Sequence, residues 1–200
     1  DVGTHSFLAV KFCPSYDPVV RLATLLHDVG KPPTFKKLPN GTITFYNHEV
    51  VGAKMAWQIG QRLKLSKEQL KKLVTLVRWH QFTVDERQTD SAIRRFMRRV
   101  GKENIADMLA LRTGDRLGGG ARETSWRLEK YKERIEQLLV TPFTVADMAV
   151  DGHDVMETLK IKPGPKVGEV LNKLFEEVME DHEKNERVFL LKKIKEFGGD

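Results

Sequence analysis

Residues 19–32 read Val19-Val20-Arg21-Leu22-Ala23-Thr24-Leu25-Leu26-His27-Asp28-Val29-Gly30-Lys31-Pro32, and no other stretch of this 200-residue chain says more about its fold. Its first eight residues are an apolar helical run, which Asp17-Pro18 opens as an N-cap followed by a first-turn proline. Gly30 and Pro32 end the helix. The stretch therefore predicts a buried helix whose last turn carries a histidine followed directly by an aspartate.

The His27-Asp28 pair indicates a metal site because of its position at the helix end. Adjacent helical side chains point about 100° apart, so they do not normally share one ion in the middle of a helix. In a fraying last turn they can converge, and the carbonyl end of the helix dipole favours a cation. An ordinary helix-terminus pair is the alternative.

Further candidate ligands fall at predicted helix ends or just after turns: His5, His48, His80 and Asp115. Each could have an ordinary structural role alone, but such roles for all of them would require several coincidences. We therefore expect one divalent ion, or two ions that share Asp28 as a bridge. The first ion would be bound by His5, His27, Asp28 and Asp115. The second would be completed by His48 and His80, whereas His153 and His182 are not expected to be ligands.

Mixed histidine and aspartate ligation without cysteine is typical of Mg, Mn, Ni, Fe or Zn in a catalytic site. Such sites keep coordination positions open for water and a substrate oxygen. Asp28 would orient the attacking water. Lys31 and Arg116, each within three residues of a ligand, are candidates to clamp a phosphate, and Arg112 is a further one. A solvated surface charge is the alternative for these basic residues.

Composition limits the class of protein. The chain is 40% hydrophobic, which suits one main domain with at most a small appendage, and it contains no apolar run long enough to span a membrane. Its one cysteine, Cys13, excludes internal disulfides and fits a reducing cytoplasm. The net charge of +6 suits a polyanion such as RNA, although a merely basic protein is the alternative.

Helical periodicity predominates, so we expect an all-α fold with one small hairpin. Asn40-Gly41, within residues 34–46, predicts a two-residue type I′ turn, and Ser66 with Gln69 forms a capping box for a helix that ends at His80. One further helix is expected to begin at His48 and a final one at Asn185. Four others are expected over residues 91–99, 103–114, 122–139 and 166–181. Thr141-Pro142 begins a linker, which places a domain boundary near residue 140.

Two segments carry a resemblance to a known family. The order of His5, His27-Asp28, His48, His80 and Asp115 resembles the HD superfamily of metal-dependent phosphohydrolases. More narrowly, the sequence Leu22-Ala23-Thr24-Leu25-Leu26-His27-Asp28-Val29-Gly30-Lys31-Pro32, with Phe45-Tyr46-Asn47-His48-Glu49, is similar to the HD domain of bacterial CCA-adding tRNA nucleotidyltransferases and poly(A) polymerases. Residues 149–156 and 162–168 are similar to the C-terminal body and tail of those enzymes.

The resemblance implies an HD helical bundle over residues 1–140 and a small helical body/tail region over 141–200 that holds tRNA-like substrates. In some family members the HD domain hydrolyses 2′,3′-cyclic phosphates, 2′-nucleotides and other phosphoesters, and in others it is an inert scaffold. The family's nucleotide-adding head carries a Gly-Ser segment and an Asp-x-Asp pair, and these 200 residues contain neither. We therefore expect part of a longer protein, unable to add nucleotides by itself.

Three functions follow as hypotheses. The first is a cytoplasmic, metal-dependent phosphohydrolase acting on nucleotides or on 2′,3′-cyclic or 2′-phosphate ends of RNA, with tRNA as the expected partner. The alternative is a non-catalytic tRNA-binding module, in which Lys162 and Lys166 would contact phosphates near the start of a helix; a plain connection between packed helices is the other interpretation of that segment. The third is a standalone nucleotidase. The sequence leaves oligomeric state open.

Overall fold

The structure is a computed structural model that describes residues 1–121, 125–139 and 145–198. It is helical with one two-stranded hairpin, which confirms the predicted all-α class. The elements, in chain order, are α1 (Val2–Phe12), α2 (Pro18–Leu26), α3 (Lys31–Thr34), β1 (Lys36–Lys37), β2 (Ile43–Thr44), α4 (His48–Arg62), α5 (Lys67–Trp79), α6 (Asp90–Val100), α7 (Ile105–Gly118), α8 (Trp126–Leu139), α9 (Gly152–Leu159), α10 (Pro165–Glu180) and α11 (Arg187–Gly198). None of the described helices combines the length and apolar character needed to cross a membrane.

Two predicted helix starts are confirmed by their caps. The Asp17 carboxylate accepts a hydrogen bond from the amide of Val19 at 2.7 Å, and Pro18 is the first residue of α2. At the start of α5, the amide of Gln69 donates to Ser66 Oγ, and the amide of Ser66 donates back to Gln69 Oε1. These side chains satisfy amides that a helix leaves unpaired at its N-terminus.

The hairpin lies where it was expected, but the prediction of a type I′ turn was wrong. The amide of Leu38 donates to the carbonyl of Thr42 at 2.8 Å, so the loop has three residues. Gly41 has φ +82° whereas Asn40 does not have positive φ, and a type I′ turn needs positive φ at both central residues. The fixed φ of Pro39 suits the first central position of a type I turn, which Gly41 then closes in the left-handed conformation.

The described residues divide into two compact units. The first comprises Asp1–Val84 and Arg99–Leu128, and the second comprises Asp85–Arg98 and Glu129–Asp200. The domain boundary expected at residue 140 and the linker expected at Thr141-Pro142 lie in residues 140–144, outside the described part of the chain. The division into an HD domain and a body/tail region therefore remains a prediction.

Close packing of α1 on α7 positions two candidate ligands in the first unit. A Cβ added at Gly114 would lie 2.5 Å from the carbonyl oxygen of Ala9, and one added at Gly118 would lie 2.6 Å from the Ala9 amide nitrogen. The missing side chains therefore let the two helix backbones touch. This approach brings His5 of α1 beside Asp115 of α7.

The remaining core of the first unit holds the other ligand-bearing helix ends. α2 and α5 pack together, and their facing apolar residues, which include Val20, Ala23, Leu73 and Leu76, are fully buried. Burial of each valine or leucine side chain provides about 1.5–3 kcal/mol. Because α2 ends just before His27 and α5 ends just before His80, this packing fixes both histidines at the same side of the unit.

The second unit has its own core, formed by α9, α10 and α11. Val155, Leu174, Phe175, Leu190 and Ile194 are all inaccessible to solvent. The observed α10 and α11 agree with the helices expected over 166–181 and from Asn185.

Candidate metal centre

The turn that follows α2 places His27 and Asp28 inside the first unit. The two residues are only 1% and 2% exposed. His27 Nδ1 donates a hydrogen bond to the carbonyl of Thr24 at 2.7 Å, so its Nε2 points away from α2. The predicted convergence of these neighbours is present, since His27 Nε2 lies 3.4 Å from Asp28 Oδ2.

A first group of ligand atoms surrounds His27. His5 Nε2 lies 3.2 Å from His27 Nε2 and 3.8 Å from Asp28 Oδ2. Asp115 Oδ1 lies 3.1 Å from His5 Nε2 and 3.4 Å from His27 Nε2. The ligand atoms of His5, His27 and Asp28 all lie within 4.8 Å of one another, and Asp115 approaches the two histidines of this triad.

A second group uses the other oxygen of Asp28. His48 Nε2 lies 3.4 Å and His80 Nε2 3.7 Å from Asp28 Oδ1, and the two nitrogens are 3.3 Å apart. All three residues are buried. Asp28 therefore faces one histidine group with each of its oxygens, which is the arrangement expected of a bridging carboxylate.

These separations suit ligands placed around a cation. Bonds of about 2.1 Å from metal to nitrogen or oxygen imply neighbouring ligand atoms about 3.0–3.4 Å apart, for octahedral and tetrahedral angles respectively. The observed distances within each group run from 3.1 to 3.8 Å. The two triads, His5 with His27 and Asp28 and Asp28 with His48 and His80, are therefore groups that could hold a metal ion, and Asp115 lies beside the first of them.

The orientation of the buried histidines supports the same interpretation. Nδ1 of His27, His48 and His80 lies within 2.9 Å of the carbonyl of Thr24, Phe45 and Val77, respectively. A carbonyl can only accept a hydrogen bond, so each Nδ1 carries a proton and Nε2 is the nitrogen available as a ligand. In each case the acceptor lies three residues before its histidine, a spacing that sequence reasoning did not use.

The charges in the cluster favour a bound cation. Burial opposes a charge on His27, but hydrogen bonds to Asp115 and Asp28 outweigh it and raise the pKa of His27 to about 9. Burial would raise the pKa of Asp115, yet the contact with His27 lowers it to about 2. Against its own burial, Asp28 has its pKa held well below the usual range by His27 and His80. Both carboxylates are therefore charged at neutral pH.

The basic residues proposed to clamp a phosphate differ in their positions. Lys31 Nζ donates to Asp28 Oδ2 at 2.5 Å and is half-buried beside the cluster. Arg112 donates to Asp115 Oδ2 at 3.1 Å, because positions three apart share a face of α7. Arg112 is thus in direct contact with a candidate ligand. Arg116 is also half-buried and directly follows Asp115 on α7.

The other predicted residues lie in the second unit. Lys162 and Lys166 are exposed, before α10 and in its first turn. His153 is exposed beside Glu157, and His182 lies 3.4 Å from the guanidinium of Arg94.

Comparison with known proteins shows which family this sequence matches. A family profile described as tRNA nucleotidyltransferase domain 2 matches residues 46–194. The A-adding tRNA nucleotidyltransferase of Deinococcus radiodurans is 37% identical over 169 residues, which cover 82% of this chain and 38% of that protein. The CC-adding tRNA nucleotidyltransferase of Thermus thermophilus is 34% identical over 176 residues, which cover 86% and 39%. The chain spans about two fifths of the length of these relatives, and no solved structure matches it.

Proposed function

The chain belongs to the tRNA nucleotidyltransferase domain 2 family, and from that premise we propose that it is the tRNA-holding part of a nucleotide-adding protein, whose first unit also carries a divalent-metal phosphohydrolase site. From the sequence alone, the phosphohydrolase is the first hypothesis and the tRNA-binding module is the alternative. The relatives are named for adding nucleotides to tRNA, which supports the tRNA-holding role more directly. The two functions are compatible, and no observation on the described residues favours a standalone nucleotidase over them.

The tRNA-holding role is supported by family membership together with charge. The chain carries 34 Lys and Arg against 28 Asp and Glu, and Lys162 and Lys166 expose their side chains around the start of α10. Phosphate contacts from such lysines position RNA without reading its sequence. We place a tRNA backbone contact at this helix start, in the second unit.

The salt dependence of tRNA binding tests this placement. Each lost phosphate contact reduces the slope of log affinity against log salt by about 0.7–0.9. Replacing Lys162 and Lys166 together by glutamine should therefore lower the slope by about 1–2 and weaken binding. The matched control replaces the exposed Lys67 and Lys71 of α5 by glutamine. Equal affinity and slope in wild type and the Lys162/Lys166 variant would refute the placement.

The hydrolase role is supported above all by the two facing Nε2 atoms of His48 and His80, which share Asp28 with a second group. His5, His27, Asp28, His48, His80 and Asp115 would hold the metal. When bound, a divalent ion would activate a water molecule and polarise a phosphoryl oxygen. Within this arrangement, Asp28 orients the attacking water, and Lys31 neutralises charge that develops on the phosphate.

Hydrolysis of 2′,3′-cyclic AMP, measured with Mg, Mn, Ni, Fe and Zn in turn, tests this role. The wild-type chain should hydrolyse the substrate with at least one of these ions. Asp28→Ala should abolish both bound metal and hydrolysis while the far-UV circular dichroism is retained. Asp107→Asn is the control, because Asp107 is another half-buried carboxylate of the first unit, but it pairs with Lys72 outside the cluster. Undiminished hydrolysis in Asp28→Ala would remove the mechanism.

A further inference from the structure

A cleft of about 570 Å³ opens beside the metal centre, between the hairpin and the start of α4. Two of its lining residues also belong to the cluster, since His48 is a candidate ligand and Lys31 donates to Asp28. The volume lies within the range of about 300–1,000 Å³ that is typical of small-molecule sites. A ligand whose phosphate reached the cluster past Lys31 would therefore extend the rest of its structure into this cleft.

Aromatic rings line one part of the cleft. Tyr46 lines the cleft and is 75% exposed. Phe45 is half-buried, packs against Phe35 with ring centroids 5.9 Å apart, and has Lys31 Nζ 5.8 Å from its own centroid. Phe45 is thus fixed as a wall, while the Tyr46 ring is available for stacking. Exposed aromatic rings beside a phosphate-binding cation are typical of sites that stack nucleobases.

Two side-chain amides supply hydrogen-bonding groups at the same cleft. Asn47 is the N-cap residue of α4, but its side chain makes no capping hydrogen bond, and no hydrogen bond of its side-chain amide is found within the described part of the chain. Asn47 has φ +61°, a left-handed conformation that asparagine adopts more readily than most residues other than glycine. Gln81, which follows the ligand His80, is exposed, and its amide likewise has no hydrogen-bond partner among the described residues.

We propose that this cleft binds the base of a nucleoside phosphate, with Tyr46 stacking on the base and the amides of Asn47 and Gln81 bonding to its edge. An amide both donates and accepts, as the edge of a nucleobase requires. The proposal rests on the proposed hydrolase function, because the phosphate of the same ligand lies at Lys31 and the cluster. It goes beyond that function by placing the base of the ligand in this cleft, and it assigns Tyr46, Asn47 and Gln81 as specificity-determining residues.

Binding without turnover tests the cleft independently of catalysis. The full chain is treated with a chelator and titrated calorimetrically with the 2′-monophosphates of adenosine, cytidine, guanosine and uridine, and with ribose 5-phosphate. At least one nucleotide should bind about tenfold more tightly than ribose 5-phosphate, as expected from stacking of one base. Tyr46→Ala and Asn47→Gly should each remove most of that advantage and leave ribose 5-phosphate binding unchanged.

The variants are chosen to keep the fold. Glycine adopts the left-handed conformation of Asn47 without strain, and Tyr46 is exposed, so neither change disturbs the core. Tyr16→Ala is the matched control, because Tyr16 is 94% exposed and does not line the cleft. The proposal would be overturned if no nucleotide binds more tightly than ribose 5-phosphate. It would also be overturned if Tyr46→Ala and Asn47→Gly both bind nucleotides as tightly as the wild type. If base-dependent binding is found but no metal supports hydrolysis, the cleft stands and the hydrolase function fails.

Discussion

His48 Nε2 and His80 Nε2 lie 3.3 Å apart, while the Nδ1 of each ring donates to a backbone carbonyl. With both Nδ1 atoms protonated, two Nε2 lone pairs face each other in a buried site next to Asp28 Oδ1. Such an arrangement is repulsive unless a cation or a proton lies between the nitrogens. The buried location makes a metal ion the simplest way to stabilise it.

Replacing one histidine from each group separates a two-ion centre from a one-ion centre. His80→Gln should remove the ion of the second group and leave the first, and His5→Gln should do the reverse. Asp28→Asn should remove both, because the two groups share Asp28. Metal content after equilibrium dialysis against Mn²⁺, measured by elemental analysis, should thus fall by about half in the histidine variants. Complete loss in each histidine variant would show that the groups form one site.

Metal binding should also raise the stability of the folded chain. A ligand that binds only the folded state stabilises it by about 2.7 kcal/mol at one hundred times its dissociation constant. The thermal midpoint of the wild-type chain should therefore rise on addition of Mn²⁺ and return on addition of a chelator. Asp28→Asn should show no rise, whereas Asp107→Asn should behave as wild type. An equal rise in Asp28→Asn would place the stabilising ion elsewhere.

Local signals in the sequence predicted much of the fold. Helix starts at Asp17-Pro18 and Ser66 depend on side chains within three residues, so they were correct. The prediction of a type I′ turn at Asn40-Gly41 failed because Pro39 joined the loop, so that Pro39 and Asn40 are the central residues and Gly41 follows them. The short helix α3 was missed, since Pro32 was interpreted as the end of α2 and not as the beginning of another helix.

The sequence predicted which residues form the candidate centre, but it did not predict how the fold brings them together. Histidines at helix ends were visible in the sequence, yet the approach of His5 to Asp115 spans 110 positions and depends on glycines of α7 that admit the backbone of α1. No local pattern indicates such a contact. The Arg112 contact with Asp115 could have been found from the spacing of three within one helix. The cleft residue Asn47 was missed because its left-handed backbone has no clear sequence signal.

The second unit should lose stability in acid through one ion pair. Arg187 forms two hydrogen bonds with the carboxylate of Asp154, the shorter at 2.5 Å, and the amide of Asp151 donates to the same group. The Arg187 contact, which is the main cause, lowers the pKa of Asp154 below its usual value. A carboxyl group with a lowered folded pKa stabilises the fold above its unfolded pKa near 4, and that contribution disappears as the pH falls through the folded value.

Arg187→Gln should therefore lower the thermal midpoint at pH 7, and the difference from wild type should shrink as the pH falls below about 4. The control is Lys173→Gln, which removes an exposed pair with Glu169 on α10 and should change the midpoint little at either pH. A deficit in Arg187→Gln that stays constant from pH 7 to pH 2.5 would show that the arginine acts through packing and not through the Asp154 charge.

Gly30 is the position where the turn that carries the candidate ligands His27 and Asp28 touches the beginning of α4. A Cβ added there would clash with the carbonyl oxygen of His48 and lie 2.6 Å from the amide nitrogen of Gly52. Both neighbours are backbone atoms in a helix, so neither can rotate away as a flexible side chain would. The absence of a side chain at Gly30 therefore lets His48 approach Asp28.

Gly30→Ala should destabilise the chain by about 1–3 kcal/mol, the range for overpacking a well-packed interior, and should weaken metal binding because α4 must move outwards with His48. Gly168→Ala provides the matched control: no atom lies within 4 Å of its added Cβ, and alanine is favoured by up to about 1 kcal/mol inside a helix such as α10. Urea unfolding and Mn²⁺ titration measure the two effects. Wild-type metal affinity in a clearly destabilised Gly30→Ala would show that His48 does not need this contact to reach the centre.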